Sequence, residues 1–466
     1  MLINNRASTK LALLIYAIMI LTLVACQGGV PNAVESVTTL IPTALSTPPE
    51  GEFWIDPSRD LGKISKFVLG ANHGPWSDLG AGNIDPAKNS GITFLRWPGG
   101  NWGDQNDIQT YTIDNYINEA RLMGAEPSIT VRLLGGTPEQ AAKLVQYVNM
   151  DKGYHVKYWS IGNEPDLYVV QDSSWTPTFY AKRWREFATA MKAVDPSIQL
   201  YGPEISAFLG DTDHFDPREL LYANSVKLDF TKRDYLTEFL KVNADLVDIV
   251  AVHHYPFPKH SNDGPPTWEQ LRDNAPEWDR IIPNLHRIIK ETTGKDKPVG
   301  ITEFNSDASN SAGSETSPDS FYNALWLADV LGRVIRTQPD IVAYWLLKNS
   351  NAGHGLMTSY DLRPTYYVYQ LYKQFGNHLI AANSPEEYVS LFAAKRDDDT
   401  LTAIFVNRSD QVISKPFKIE EGDNLKLTEA YVFDAEHNAE TITPSAFKNG
   451  DGITLSAYSV TLYILK

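Results

Sequence analysis

Cysteine is almost missing from this chain. Among 466 residues there is one, Cys26, so no disulfide can form within the chain. An excess of positive charge is missing too. With 41 Lys and Arg against 57 Asp and Glu, the net charge is −16, which excludes the basic face that a nucleic acid backbone requires. No glycine-rich phosphate loop follows the first strand-like run, residues 66–72, which argues against a dinucleotide site on a doubly wound sheet. His253, His254 and His260 lie close in sequence, but no carboxylate stands at ligand spacing and the pattern matches no zinc motif. Neither a metal nor a cofactor is expected.

The first residues read as an address rather than as structure. Arg6 and Lys10 precede an apolar run at residues 11–24, which is short for a membrane span. Small residues then lead into Cys26, in the order Leu23-Val24-Ala25-Cys26, as in a bacterial lipoprotein leader. The expectation is a leader at residues 1–25 and a lipid on Cys26, which also uses up the only thiol. Residues 26–52 are rich in Thr, Ser and Pro and read as a tether. The exported protein would sit on the cell surface or the periplasmic side of a membrane, touching it only through that lipid.

What is present begins near Phe53. Eight strand-like runs alternate with helix-like runs as far as residue 376: 66–72, 91–97, 126–133, 156–164, 198–204, 247–256, 297–303 and 341–349. Helical patterns lie between them, at residues 107–123, 137–149, 184–194, 236–242, 278–293 and 321–337. The strands are almost continuously apolar, which means burial on both faces under helices. Eight such units over about 300 residues predict an α/β fold, a (β/α)8 TIM barrel, with an open doubly wound sheet as the lesser alternative. From residue 377 to 466 the texture changes to short alternating segments with turns such as Asn449-Gly450-Asp451-Gly452. That predicts a C-terminal antiparallel β-sandwich, to which Phe53-Trp54-Ile55 would add a strand.

The strand ends of such a barrel share one mouth, so residues far apart in sequence meet there. Glu164 ends the fourth strand and Glu303 the seventh. A carboxylate pair so placed is the machinery of glycoside hydrolysis. Glu303 would attack the sugar carbon, with Arg96 and Tyr255 beside it holding its pKa low. Glu164 would carry the proton, its pKa raised by partial burial and by Glu303. Asn163 would bind the hydroxyl beside the reacting carbon. By period two His253 and Tyr255 face the site and His254 faces away. Asn72, Trp102 and Trp345 complete the expected mouth. Trp76, Trp97 and Trp175 are further aromatic candidates for stacking on sugar rings. Glu204 is expected to be structural, paired with Arg96 or Arg132, and Asp104 has no assigned role.

Three stretches carry a family resemblance: Tyr158-Trp-Ser-Ile-Gly-Asn163-Glu164-Pro165, Ile301-Thr-Glu303-Phe-Asn305 and Arg96-Trp-Pro-Gly-Gly-Asn101. They resemble the clan A retaining glycoside hydrolases, and family 51, the α-L-arabinofuranosidases, most of all. Residues 136–149 and the His253-x-Tyr255 pair are similar to that family as well. The resemblance implies Glu164 as acid/base and Glu303 as nucleophile, with Arg96, Asn163, His253 and Tyr255 in support. It departs after the first strand, where the family has a sugar-binding glutamate and this chain has Asn72-His73. Families 39, 44 and 79 therefore remain alternatives, giving β-xylosidase or endo-β-glucanase and xylanase readings. The expected partner is a carbohydrate. A surface glycan-binding lipoprotein without catalysis is the rival of another class.

Overall fold

The computed structural model describes residues 47–77, 79–210, 232–258, 263–444 and 447–466. Cys26, the leader, most of the tether and His260 lie outside the described residues. Residues 48–466 form one compact unit.

Its first strand, β1 (Phe53–Lys63), belongs to the C-terminal sheet. The next eight are β2 (Gly70–Asn72), β3 (Phe94–Trp97), β4 (Glu126–Val131), β5 (Tyr158–Ile161), β6 (Gln199–Ile205), β7 (Ile249–His254), β8 (Val299–Phe304) and β9 (Ile341–Tyr344). They close into a parallel barrel in chain order, β9 pairing back onto β2. Within a strand, alternate residues face the axis and the helices. In β3, Phe94 joins the axial cluster with Phe67, Tyr158, Tyr201, Ile249 and Ile341, while Trp97 turns outward and stacks on Tyr116 at 4.9 Å. The axial cluster forms the floor beneath the mouth.

The covering helices follow local signals. The helix Pro138–Val145 opens with a capping box between Thr137 and Gln140, then continues as a π-type turn, Gln146–Asp151. The helix Trp278–Thr293 stops where Gly294 takes a left-handed φ of 71°. The helix Pro177–Val194 starts well before the expected residue 184, because Thr176 caps it and Pro177 occupies its first position.

The remaining strands are β10 (His378–Asn383), β11 (Val389–Lys395), β12 (Leu401–Asn407), β13 (Ile413–Ile419), β14 (Leu427–Phe433), β15 (Asn438–Ile442), β16 (Gly452–Leu455) and β17 (Ser459–Leu465). With β1 they form a nine-stranded sheet in the order β15-β14-β17-β12-β11-β10-β1-β13-β16. Phe405 of β12 lies 5.2 Å from both Phe53 and Phe417, which sit several strands away in that order. The sheet therefore curls over one shared core, as a sandwich does. β1 joins it as expected, antiparallel to β10 and parallel to β13. One expected strand is in fact two, β16 and β17, separated near Tyr458, whose φ is 46°. Buried Arg408, just past β12, pairs at 3.0 Å with buried Asp329 on the helix Phe321–Arg336 and so joins sheet to barrel.

Candidate active site

Arg96 is the hub of the barrel mouth. It is the inward neighbour of Phe94 on β3 and is fully buried. Its Nη1 donates to Asn72 Oδ1 at 2.8 Å and to Glu303 Oε2 at 3.1 Å. Its Nη2 donates to Asn163 Oδ1 at 2.8 Å and to Glu204 Oε2 at 3.1 Å. Its Nε lies 2.8 Å from Glu204 Oε1. One planar fork thus ties five barrel strands or the turns that follow them. Burial opposes its charge, but Glu204 and Glu303 outweigh that and hold it above the usual arginine value. Glu204 is buried as well, yet Arg96 and His253 bring its carboxyl down to about 2.

Asn72 is a support rather than a sugar contact. It is buried on β2, where its amide donates to Thr302 O at 3.0 Å while its oxygen accepts from Arg96. His73 is turned away too, with Nε2 3.5 Å from Glu119.

β5 ends at Ile161 in a tight turn. Gly162 has a φ of 79°, and a Cβ there would stand 2.7 Å from the Tyr168 hydroxyl. Glu164 itself sits in the left-handed region at φ 47°, with Pro165 opening the 3-10 turn Pro165–Val170 behind it. A non-glycine residue held there costs of order 1–2 kcal/mol, a strain typical of functional turns. Across the mouth, Glu303 is gripped at both oxygens: Tyr255 donates to Oε1 at 2.7 Å and Arg96 to Oε2. The expected low pKa does not follow. Burial pushes the Glu303 carboxyl up, with help from Glu164, against the opposing pull of His253, Arg96 and Tyr255. Loss of water outweighs the donors because the group is almost wholly enclosed.

His253 stands between the acids. Its Nδ1 is 3.3 Å from Glu164 Oε1 and its Nε2 is 3.5 Å from Glu204 Oε1. Burial disfavours its charge, but Glu303, Glu164 and Glu204 raise its pKa to about 9, so it is a cation at neutral pH. Oxygens of Glu164 and Glu303 and a His253 nitrogen all lie within 4.8 Å of one another. By distance alone the three could hold a metal ion. The Arg96 guanidinium, 3.1 Å from Glu303 Oε2, repels a cation, so the cluster suits proton transfer better. His254 points outward as expected and meets Glu277 at 2.8 Å.

No family model matches the chain. Among curated proteins it is 24% identical over 203 residues to α-L-arabinofuranosidase C of Emericella nidulans, covering 31% of this chain and 40% of that protein. The chain therefore spans well under half of that relative. Among solved structures, the thermostable family 51 α-L-arabinofuranosidase of Thermotoga petrophila superposes with a TM-score of 0.67 at 17% identity, covering 89% of this chain and 100% of that one. A family 44 xyloglucanase of Paenibacillus polymyxa, solved with xyloglucan, scores 0.67 at 15% identity, covering 89% and 99%. The chain resembles the family 51 α-L-arabinofuranosidases. With these solved structures it shares the barrel and the C-terminal sandwich.

The aromatic candidates divide. Trp76, Trp102 and Trp345 form one wall, with ring centroids 6.4 Å apart for Trp76–Trp102 and 6.1 Å for Trp76–Trp345. Trp76 is 40% exposed and could stack on a sugar ring. Trp97 and Trp175 do not belong to that wall. Trp97 faces the helices, and Trp175 is buried edge-on against Tyr168 at 4.9 Å. Glu204 pairs with Arg96 as expected, and it also meets His253. The sequence signal for that contact is its place near the end of β6, as Glu164 follows β5.

Proposed function

We propose that this protein is a retaining glycoside hydrolase acting by double displacement. One observation carries the reading: one oxygen of Glu164 and one of Glu303 lie within 4.8 Å of each other. Retaining enzymes hold their pair about 5 Å apart, whereas inverting enzymes need roughly 6.5 Å or more to admit a water. The donors suggest the division of labour. Both oxygens of Glu303 already accept hydrogen bonds from Tyr255 and Arg96, which aims it as an anionic nucleophile. Glu164 meets His253 through Oε1, and we assign its Oε2 to the departing oxygen. A Glu303 oxygen attacks the anomeric carbon while Glu164 protonates the leaving oxygen. The glycosyl–Glu303 ester has lost the nucleophile's charge, so Glu164 then acts as base towards water. Water attacks the same carbon, Glu303 leaves, and the configuration is retained.

α-L-Arabinofuranosides are the first substrate class, by likeness to the relatives' names. One observation favours a second, endo-acting reading on β-xylan or β-glucan chains. Asn72 and His73 are both turned into the protein, so neither replaces the sugar-binding glutamate expected of family 51, while the Trp76–Trp102–Trp345 wall suits a longer chain.

Glu164→Ala tests the acid/base role. Turnover of substrates with poor leaving groups is expected to fall by about 10²–10⁴-fold. Azide should restore turnover of a dinitrophenyl glycoside, giving a glycosyl azide of the substrate's own configuration. A variant that hydrolyses unactivated glycosides at the wild-type rate would rule out the assignment.

We also propose that the chain is exported and lipidated at Cys26, on the strength of residues 23–26 and the apolar run before them. In a bacterial host labelled with radioactive palmitate, the wild type should take up label and Cys26→Ser should not. Equal labelling of both would remove the proposal.

A further inference from the structure

Asp104 is a buried carboxylate that the scheme above does not use. It is 4% exposed and lies on the short helix Trp102–Gln105 after β3. Burial pushes its carboxyl up while N–H and O–H donors oppose. A carboxylate in that position needs donors, and it has four. Its Oδ1 accepts from the backbone N–H groups of Leu133 at 2.9 Å and Leu134 at 3.2 Å, just past β4. Its Oδ2 accepts from the Asn163 N–H at 2.8 Å and from the Tyr168 hydroxyl. One side chain therefore joins the turns after the second, third and fourth barrel strands.

The turn it holds is strained. Gly162 and Glu164 both have positive φ, and the Asn163 N–H that Asp104 takes lies between them. The residue just before that helix meets Asn163 again, because Asn101 Oδ1 accepts from Asn163 Nδ2 at 3.0 Å. A strained backbone persists only where its surroundings over-determine it. Here that surrounding is Asp104, with Tyr168 relaying a second contact to Asn163 N at 3.0 Å.

We propose that Asp104 is a positioning residue that fixes the Asn163–Glu164 turn and so aims the Glu164 carboxyl at the glycosidic oxygen. This rests on the reading of Glu164 as the acid/base.

The test separates aiming from general structural support, because only proton donation depends on the leaving group. Asp104→Asn keeps the shape and one oxygen but turns an amide towards one pair of donors. Tyr168→Phe keeps the ring against Trp175 and removes only the hydroxyl. Each would be assayed on 2,4-dinitrophenyl and phenyl glycosides of α-L-arabinofuranose, or of β-D-xylopyranose should the wild type prefer it, with Glu164→Ala alongside. For Asp104→Asn, kcat/KM on the phenyl glycoside is expected to fall about 10–100-fold and on the dinitrophenyl glycoside by less than about threefold. Tyr168→Phe should shift in the same direction by less. Equal losses on both substrates in a folded Tyr168→Phe or Asp104→Asn variant, or no loss in either, would overturn the proposal. If Glu164→Ala itself shows no dependence on the leaving group, the acid/base reading fails first. If it does and the Asp104 and Tyr168 variants do not, only the role of Asp104 fails.

Discussion

Glu303→Ala is expected to lower kcat/KM by roughly four to six orders of magnitude, as loss of a covalent nucleophile does elsewhere. At 1.36 kcal/mol per decade this is about 5–8 kcal/mol of transition-state stabilisation. The size follows from the site. Glu303 is the carboxylate on which the Arg96 and Tyr255 donors converge. Glu164 is within 4.8 Å, but in the proposed scheme it serves the leaving oxygen and cannot substitute. Azide provides a stereochemical control. In Glu303→Ala it can enter only from the vacated face and gives the inverted glycosyl azide, opposite to the product expected from Glu164→Ala. Residual activity above about one per cent in Glu303→Ala, free of wild-type contamination, would contradict the nucleophile assignment.

Arg96→Met is expected to cost about 3–5 kcal/mol of stability, because it leaves buried carboxylates without their cation. Glu204 is 1% exposed and Glu303 5%, so water cannot replace the guanidinium. Asn72 and Asn163 would lose the donor to their oxygens as well. Arg96→Lys should recover little, since one ammonium cannot reach four separate partners in a plane. Arg96→Met combined with Glu204→Gln should recover part of the loss, because the uncompensated charge is then smaller. Denaturant midpoints at unchanged slope measure all of this. A loss within about 0.5 kcal/mol for Arg96→Met would mean that the hub does not hold the mouth together.

Much of this was legible in the sequence, for identifiable reasons. The barrel could be read because its strands are buried on both faces and alternate with amphipathic helices. The meeting of Glu164 and Glu303 could be read because each marks the end of an apolar run. The helix Trp278–Thr293 was read to its ends, since its periodicity is strong and Gly294 stops it. Other elements were hidden. The helix Pro364–Tyr372 holds four tyrosines and Val368, residues that favour strands, and tertiary packing overrides that preference. Trp97 and Trp175 looked like sugar platforms because composition says nothing about direction. Trp97 sits one residue from Arg96, and that single step turns it to the opposite face. Charge was the hardest part. Neighbouring donors suggested a low pKa for Glu303, but only the three-dimensional enclosure reveals that burial outweighs them. The grip of Asp104 on Asn163 spans 59 residues and leaves no trace in local pattern.

The central claim is that a covalent bond forms between the sugar and Glu303. Removing Glu164 while supplying a leaving group that needs no acid should let that intermediate accumulate, because its hydrolysis then lacks a base. Glu164→Ala would be mixed with a 2,4-dinitrophenyl glycoside, quenched in acid, and its peptides mapped by mass spectrometry. The predicted result is one glycosyl unit on the peptide that contains Glu303, lost when azide is added before the quench. An adduct on another residue, or steady turnover to the inverted sugar with no adduct, would contradict the account.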